Sequence, residues 1–170
     1  FQDLYDLRIN STAASASDGS KEDYVRGYYY IPHIVKRIEG RDSIDRRFYE
    51  KQYTMIDPKH FEPIVDGMWR GVNVGGTSML ARLEGLDVCG KTGTAENPRG
   101  RDHSTFLSFA PKDNPKIAIS VYVENGGFGA SAALPIASLL EEYYLTDTIR
   151  RPALLDYVRN MTINYPAYDR

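Results

Sequence analysis

The chain has 170 residues, 42% of them hydrophobic and 26% charged, which is enough to bury a core without disulfide staples. Its 21 basic and 23 acidic residues leave a formal net charge of −2, so there is no basic field for a nucleic-acid partner. The single Cys89 excludes an internal disulfide and a cysteine-built metal site, and no apolar run reaches membrane-spanning length. The segment itself is therefore expected to be soluble. Its 13 tyrosines suggest extensive half-buried surface at a cleft or an interface.

Residues 1–10 show no clear period, and Ser11 to Ser20 is a run of small polar residues that reads as a linker. From Gly27 the texture changes. Tyr28 to Ile38 is aromatic and β-branched with a break at Pro32, and Phe48 to Ile56 is a second extended candidate, so a hairpin is expected. Asp57-Pro58 sets an acidic cap before a proline at the first helical position. Phe61, Ile64, Val65, Met68, Trp69 and Val72 then recur at offsets of three and four, predicting a helix over 58–72 that Gly75-Gly76-Thr77 ends.

Leu86 to Glu96 is the centre of the chain. Leu86 and Val88 alternate with Asp87 and Cys89, a half-buried strand pattern. Continued through the motif, alternation puts Lys91, Gly93 and Ala95 on one face and Thr92, Thr94 and Glu96 on the other. Gly93 removes the side chain between two hydroxyls, so another backbone or a ligand can come close. Such a strand suits an extended substrate carrying a carboxylate, with Lys91 supplying positive field. Gly85 to Thr92 also fits the phosphate-loop pattern G-x-x-x-x-G-K-[ST]. Its context is inverted: the part that should be loop alternates like a strand, and the part that should open a helix meets Gly93 and Asn97-Pro98.

Downstream, strands are expected over 104–110 and 116–124. In the second, Ile117, Ile119, Val121 and Val123 share one face, and the small Ala118 and Ser120 mark the other as closely covered by helices. After the Gly-rich turn Asn125 to Gly129, a helix over 130–146 is read with a stripe of Ala133, Ile136, Ala137, Leu140 and Tyr144. Leu154, Leu155 and Val158 are expected to pack the tail back. Cys89 reads as a buried small hydrophobe, His103 as a packing residue that orients its strand, Glu96 as a turn anchor and Glu124 as structural.

An ordered set of motifs resembles the C-terminal part of the transpeptidase domain of class B penicillin-binding proteins, of the penicillin-binding protein 2 kind. The residues that carry it are Tyr28 to His33, Gly67-Met68, Gly76-Thr77, Gly90 to Glu96, His103, Phe106, Phe109-Ala110-Pro111, Pro115 to Ala118, Val123 to Gly127 and Ala133 to Ile136. The resemblance implies an α+β fold, an antiparallel sheet covered by helices, shared with serine β-lactamases. It implies 27–150 as part of the transpeptidase domain, 151–170 as a tail and 1–26 as a linker or non-contiguous segment.

The family's signature joins K-T-G to S-x-x-K and S-D-N. Neither partner is in this sequence: Lys21 has Asp18 three residues before it, and Ser17-Asp18-Gly19 is only an echo of the second motif. The chain is accordingly expected to be a piece of a longer enzyme and inactive alone. In that enzyme, the resemblance implies, a serine acyl-enzyme forms on D-Ala–D-Ala stem peptides of peptidoglycan, and β-lactams acylate the same serine. Lys91 would aid charge and proton transfer, Thr92, Gly93 and Thr94 would line the substrate's place, and the Thr94 N–H would be an oxyanion donor. No cofactor is implied. The partners implied are stem peptides, β-lactams and other cell-wall synthesis proteins, at the periplasmic face of the bacterial inner membrane. Two rivals share the fold or the elements: a β-lactam-sensing or β-lactamase-like domain, and a non-catalytic interaction module.

Overall fold

The computed structural model describes residues 28–31, 39–40 and 45–163. The expectations for 1–26, and for most of the stretch from Tyr28 to Ile38, lie outside them. The chain divides after Ile64 into two compact units.

In the first unit, β1 (Tyr28–Tyr29) pairs antiparallel with β2 (Gln52–Tyr53), with Tyr28 opposite Tyr53. The expected hairpin is thus a two-residue ladder. Part of the reason is Asp45, whose carboxylate accepts the Arg47 N–H at 3.0 Å and turns Arg46–Phe48 into a 3-10 helix instead of strand. The Tyr28 and Tyr53 rings meet edge-on at 6.1 Å, and the Lys51 ammonium lies 4.3 Å from the Tyr28 ring centre.

Asp57 accepts the Lys59 N–H at 3.0 Å, and hydrogen bonds from the Lys59 side chain and backbone hold its carboxyl below the usual range. A 3-10 turn, Pro58–His60, leads into α1 (Phe61–Asn73), so the expected helix forms. Of its stripe, Val65 and Val72 are buried, Met68 and Trp69 pack beside Val65, and Ile64 is exposed.

The second unit is built on an antiparallel sheet in the order β3 (Cys89–Ala95), β4 (His103–Ala110), β5 (Ile117–Val123). β3 starts at Cys89, not at Leu86. An isolated bridge between Leu83 and Leu86 occupies the preceding chain, while Val88 is fully buried all the same. α2 (Ala133–Thr146) covers the face of Phe106, Ile119, Val121 and Val123 with Ala133, Leu134 and Ala137. On the small face of β5, Ala118 packs in one cluster with Val65, Met68 and Trp69 of α1 and with Cys89 and Phe109. Tyr122, farther along that face, is 55% exposed.

α2 also rotates away from the stripe read from its sequence. Leu140 and Tyr144 are exposed, and Leu134, Ser138 and Glu141 are buried beside Ala137. A clamp sets this rotation. Arg151 donates to Glu142 Oε2 at 3.0 Å, to the Ser138 carbonyl at 2.9 Å and to the Leu80 carbonyl at 2.9 Å, joining α2 to the 3-10 turn Met79–Ala81. The Arg150 N–H reaches Glu142 Oε1 at 3.1 Å. α3 (Pro152–Asn160) follows with proline at its first position and packs on α2, with Leu154, Leu155 and Val158 half-buried.

The rotation buries a second acid. Glu141 is completely inaccessible, and neither carboxylate oxygen has a hydrogen-bond partner among the described residues. Burial pushes its carboxyl up to about 8. The nearby Ser108 hydroxyl and Arg151 charge pull the other way, but no bond of ordinary geometry joins Ser108 to the acid. In the folded state Glu141 therefore keeps its proton across a range in which the unfolded chain has lost it. The folded state binds more protons there, so stability falls as pH rises from about 4.5 toward about 8. Urea unfolding at stepped pH should show this decline, and Glu141→Gln should flatten it while raising stability at the alkaline end. A decline of equal size in Glu141→Gln would assign it to another group.

Candidate functional site

β3 is the edge of its sheet, and its register fixes which way each residue of the motif faces. Lys91 lies opposite Leu107, Thr92 opposite Phe106, Gly93 opposite Thr105 and Thr94 opposite Ser104. Directly opposed residues share a face, so Thr92 and Thr94 lie on the α2 side and Lys91 and Gly93 on the other, as alternation predicts. A Cβ placed on Gly93 would run into the Thr105 hydroxyl of the neighbouring strand, so what requires glycine here is a cross-strand side chain, not the approach of a ligand or another backbone that the sequence suggests.

The backbone adds a second direction. A Cβ placed on Gly129 would lie 2.5 Å from Gly93 O, 2.6 Å from Thr105 O and 2.9 Å from Gly93 N. Those three atoms converge only if Gly93 and Thr105 exchange backbone hydrogen bonds. The N–H and C=O groups of Thr92 and Thr94 then point the opposite way, to the edge of β3 that pairs with no strand among the described residues. Lys91 follows them. Its ammonium curls over the edge and donates to the Thr92 carbonyl at 2.7 Å. Charge, hydroxyls and amide donors thus meet along one edge, although the side chains leave the strand on opposite faces.

Thr77 joins them from the loop after α1. Its Oγ1 lies 3.1 Å from Thr92 Oγ1. Gly76 makes this possible: a Cβ there would sit 2.5 Å from the Gly71 Cα, so only glycine lets the loop fold back on the helix end, where the Ser78 N–H meets the Gly71 carbonyl at 3.1 Å. In the sequence Gly75-Gly76-Thr77 reads only as a helix end, so Thr77 is not among the expected site residues. The Gly-Gly-Thr order after an amphipathic helix was the available signal.

The far end of β3 is tied down by polar contacts. Asn97 donates from its amide N–H to Asp102 Oδ1 at 3.2 Å and from its side chain to Asn125 Oδ1 at 3.0 Å. The Asn125 N–H donates to His103 Nδ1 at 3.0 Å, and the Gly127 N–H to the Asp102 carbonyl at 2.8 Å. His103, expected as a packing residue, does lie 5.3 Å from the Tyr122 ring centre, but it also serves as an acceptor. Cys89 is fully buried, as expected.

A surface cleft of about 730 Å³ lies at the other end of this region, lined by Trp69, Asn73, Leu83, Leu86 and Asp87 among others. The Trp69 indole donates to Asp87 Oδ1 at 2.7 Å, and Asn73 donates to the Trp69 and Val88 carbonyls. These bonds fix the approach to β3. The cleft does not include the threonines. Lys91 sits in mid-strand and not at a helix N-terminus, which disposes of the phosphate-loop reading.

A sequence model of the penicillin-binding protein transpeptidase domain matches residues 24–140. The chain belongs to this family. It is 34% identical over 145 residues to the peptidoglycan D,D-transpeptidase MrdA of Haemophilus influenzae, a match that covers 72% of this chain and 22% of that protein. Its structure aligns with that of Pseudomonas aeruginosa PBP2 in complex with WCK 5153 at a TM-score of 0.57 and 31% identity, over 71% of this chain and 26% of that one. Penicillin-binding protein A from Mycobacterium tuberculosis, solved as an imipenem acyl-enzyme complex, aligns at 0.53 and 27% identity over 71% and 27%. The chain thus spans about a quarter or less of the length of the relatives it matches. The expected α+β fold, an antiparallel sheet with helices against it, is the fold observed.

The contact of Gly129 with β3 can be tested by size alone. Gly129→Ala should cost about 1–3 kcal/mol, because the added carbon meets backbone that cannot rotate away. An unfolding midpoint equal to that of the unsubstituted chain would show that the loop yields freely.

Proposed function

We propose that this chain forms one wall of the acyl-transfer cleft of a peptidoglycan D,D-transpeptidase. The observation that carries the reading is the open edge of β3, where the Lys91 ammonium, the Thr92 hydroxyl and the outward N–H of Thr94 converge in a member of this family. A serine supplied from outside these residues attacks the carbonyl of a D-Ala–D-Ala bond and releases the terminal D-alanine. The acyl group then passes to an amine of a neighbouring stem peptide, regenerating the serine. β-Lactams present a similar carbonyl and acylate the same group.

In this reading the substrate's terminal carboxylate accepts hydrogen bonds from Thr92 and Thr94, each worth about 1.5–3 kcal/mol because one partner is charged. Lys91 offsets negative charge in the cleft and assists proton transfer at the serine. The Thr94 N–H is one of two donors to the oxyanion, a role worth about 2.7–4 kcal/mol. Gly93 keeps the strand bare between the hydroxyls. The whole enzyme acts at the periplasmic face of the inner membrane, where other cell-wall synthesis proteins meet it. Among the described residues no helix is long and apolar enough to cross a membrane.

Two measurements test this. Incubation of the 170-residue chain with a fluorescent penicillin, followed by denaturing electrophoresis, should leave it unlabelled, because no S-x-x-K pair is present. A stoichiometric adduct would place the nucleophile within the chain. In a longer protein that supplies the serine, Thr92→Val and Thr94→Val should each slow acylation about tenfold, the loss of one charged hydrogen bond, with little change in thermal midpoint. Unchanged rates in both variants would remove the carboxylate from this strand.

A further inference from the structure

The peptide joining Gly93 to Thr94 has its two polar groups in opposite directions. Its C=O points at β4, and its N–H, which belongs to Thr94, points to the open edge. Whatever holds the C=O therefore aims the N–H. Gly129 lies directly on that C=O, at a distance that leaves no room for a side chain. The loop carrying Gly129 is pinned at two places by β4. At one, the Ser104 hydroxyl donates to the Phe128 carbonyl at 2.9 Å and accepts the Ala133 N–H at 2.9 Å. At the other, His103 Nδ1 accepts the N–H of Asn125, a buried residue in left-handed backbone with φ +55°.

We propose that His103 is a positioning residue for the Thr94 N–H, and that proton uptake on its ring loosens the loop that aims this donor. An Nδ1 that accepts from an amide must carry a lone pair. Protonation there replaces the acceptor with an N–H facing another N–H, and the bond to Asn125 is lost. Asn125 also holds the Asn97 side chain at the end of β3, so that contact weakens with the loop while the Asn97 N–H keeps its bond to Asp102. Other groups close in sequence or register are Tyr122 on β5, Asp102 and Arg101 before His103, Glu124 before Asn125, and Glu96 beyond the register partner Ala95. His103→Asn leaves all of these in place and keeps an acceptor near the Nδ1 position. It thereby separates His103 from them.

The functional meaning rests on the oxyanion role proposed for Thr94, but the coupling itself does not. It can be read in the ¹⁵N-labelled 170-residue chain by NMR between about pH 8 and about pH 5, where imidazoles gain a proton. The amide signals of Asn125, Gly129 and Thr94 should shift with one midpoint, equal to that of the His103 ring carbons. In His103→Asn that shared transition should be lost, with the three amides near their neutral-pH positions throughout. In His103→Phe they should be displaced at every pH. Thr94 and Gly129 amides that stay fixed while His103 titrates, or a transition that survives His103→Asn, would overturn the proposal. If the threonine variants left acylation unchanged but this transition were present, the carboxylate reading would fall and the coupling would stand.

Discussion

The hydroxyl of Ser104 is a single atom on which several elements depend. α2 begins at Ala133 with Ala132 before it, which has no side chain to cap the first N–H groups. Ser104 supplies the missing acceptor from β4, and its own proton goes to the loop that precedes the helix. The start of α2, the Gly-rich loop and the sheet are thereby fixed to one another at the position opposite Thr94. A helix that covers a sheet could slide along it if apolar contact alone held it, since such contact has no direction. The buried hydroxyl gives it one register.

The polar groups deeper in the same interface have a different character. Among the described residues, Glu141 and the Ser108 hydroxyl are both buried without hydrogen-bond partners, whereas Glu142, the next residue, is clamped by Arg151. An isolated buried charge costs far more than a neutral acid, so Glu141 keeps its proton. The clamp on Glu142 explains why the helix accepts this. Arg151 reaches two backbone carbonyls as well as the carboxylate, and turning α2 to release Glu141 would break all of those bonds at once.

This interface also marks where the sequence stops being legible. Period and turn residues were enough to place α1, β3, β4, β5 and α2 within a few positions, because each has a strong apolar repeat or a strand motif between breakers. They were not enough to rotate α2. Leu140 and Tyr144 complete an apolar stripe on paper, and Glu141 beside Glu142 looks like solvated surface. The preference of Arg151 for one face is a contact with a residue nine positions earlier, made from beyond the helix end, which no periodicity encodes. In the candidate site, the run Lys91 to Thr94 stands out in the sequence because three chemical types occur in a row. Thr77 and Gly129 do not, since each matters only through a backbone approach from another part of the chain.

That distinction bears on how one strand can serve three kinds of chemistry. Strict alternation sends Lys91 away from Thr92 and Thr94, and a flat central strand could not bring them back. An edge strand can, because its outer rim is open to a long side chain from either face. Lys91 uses its four-carbon stem to reach the rim, where the Thr92 carbonyl anchors its ammonium. Thr77 meets the Thr92 hydroxyl from the adjoining loop; one of the two protons joins the pair and the other is left for a third acceptor. The rim thereby collects a cation, hydroxyls and amide donors that pair with no strand among the described residues. In the proposed reading, an edge that would otherwise invite pairing with a foreign strand is the one that meets an extended peptide ending in a carboxylate.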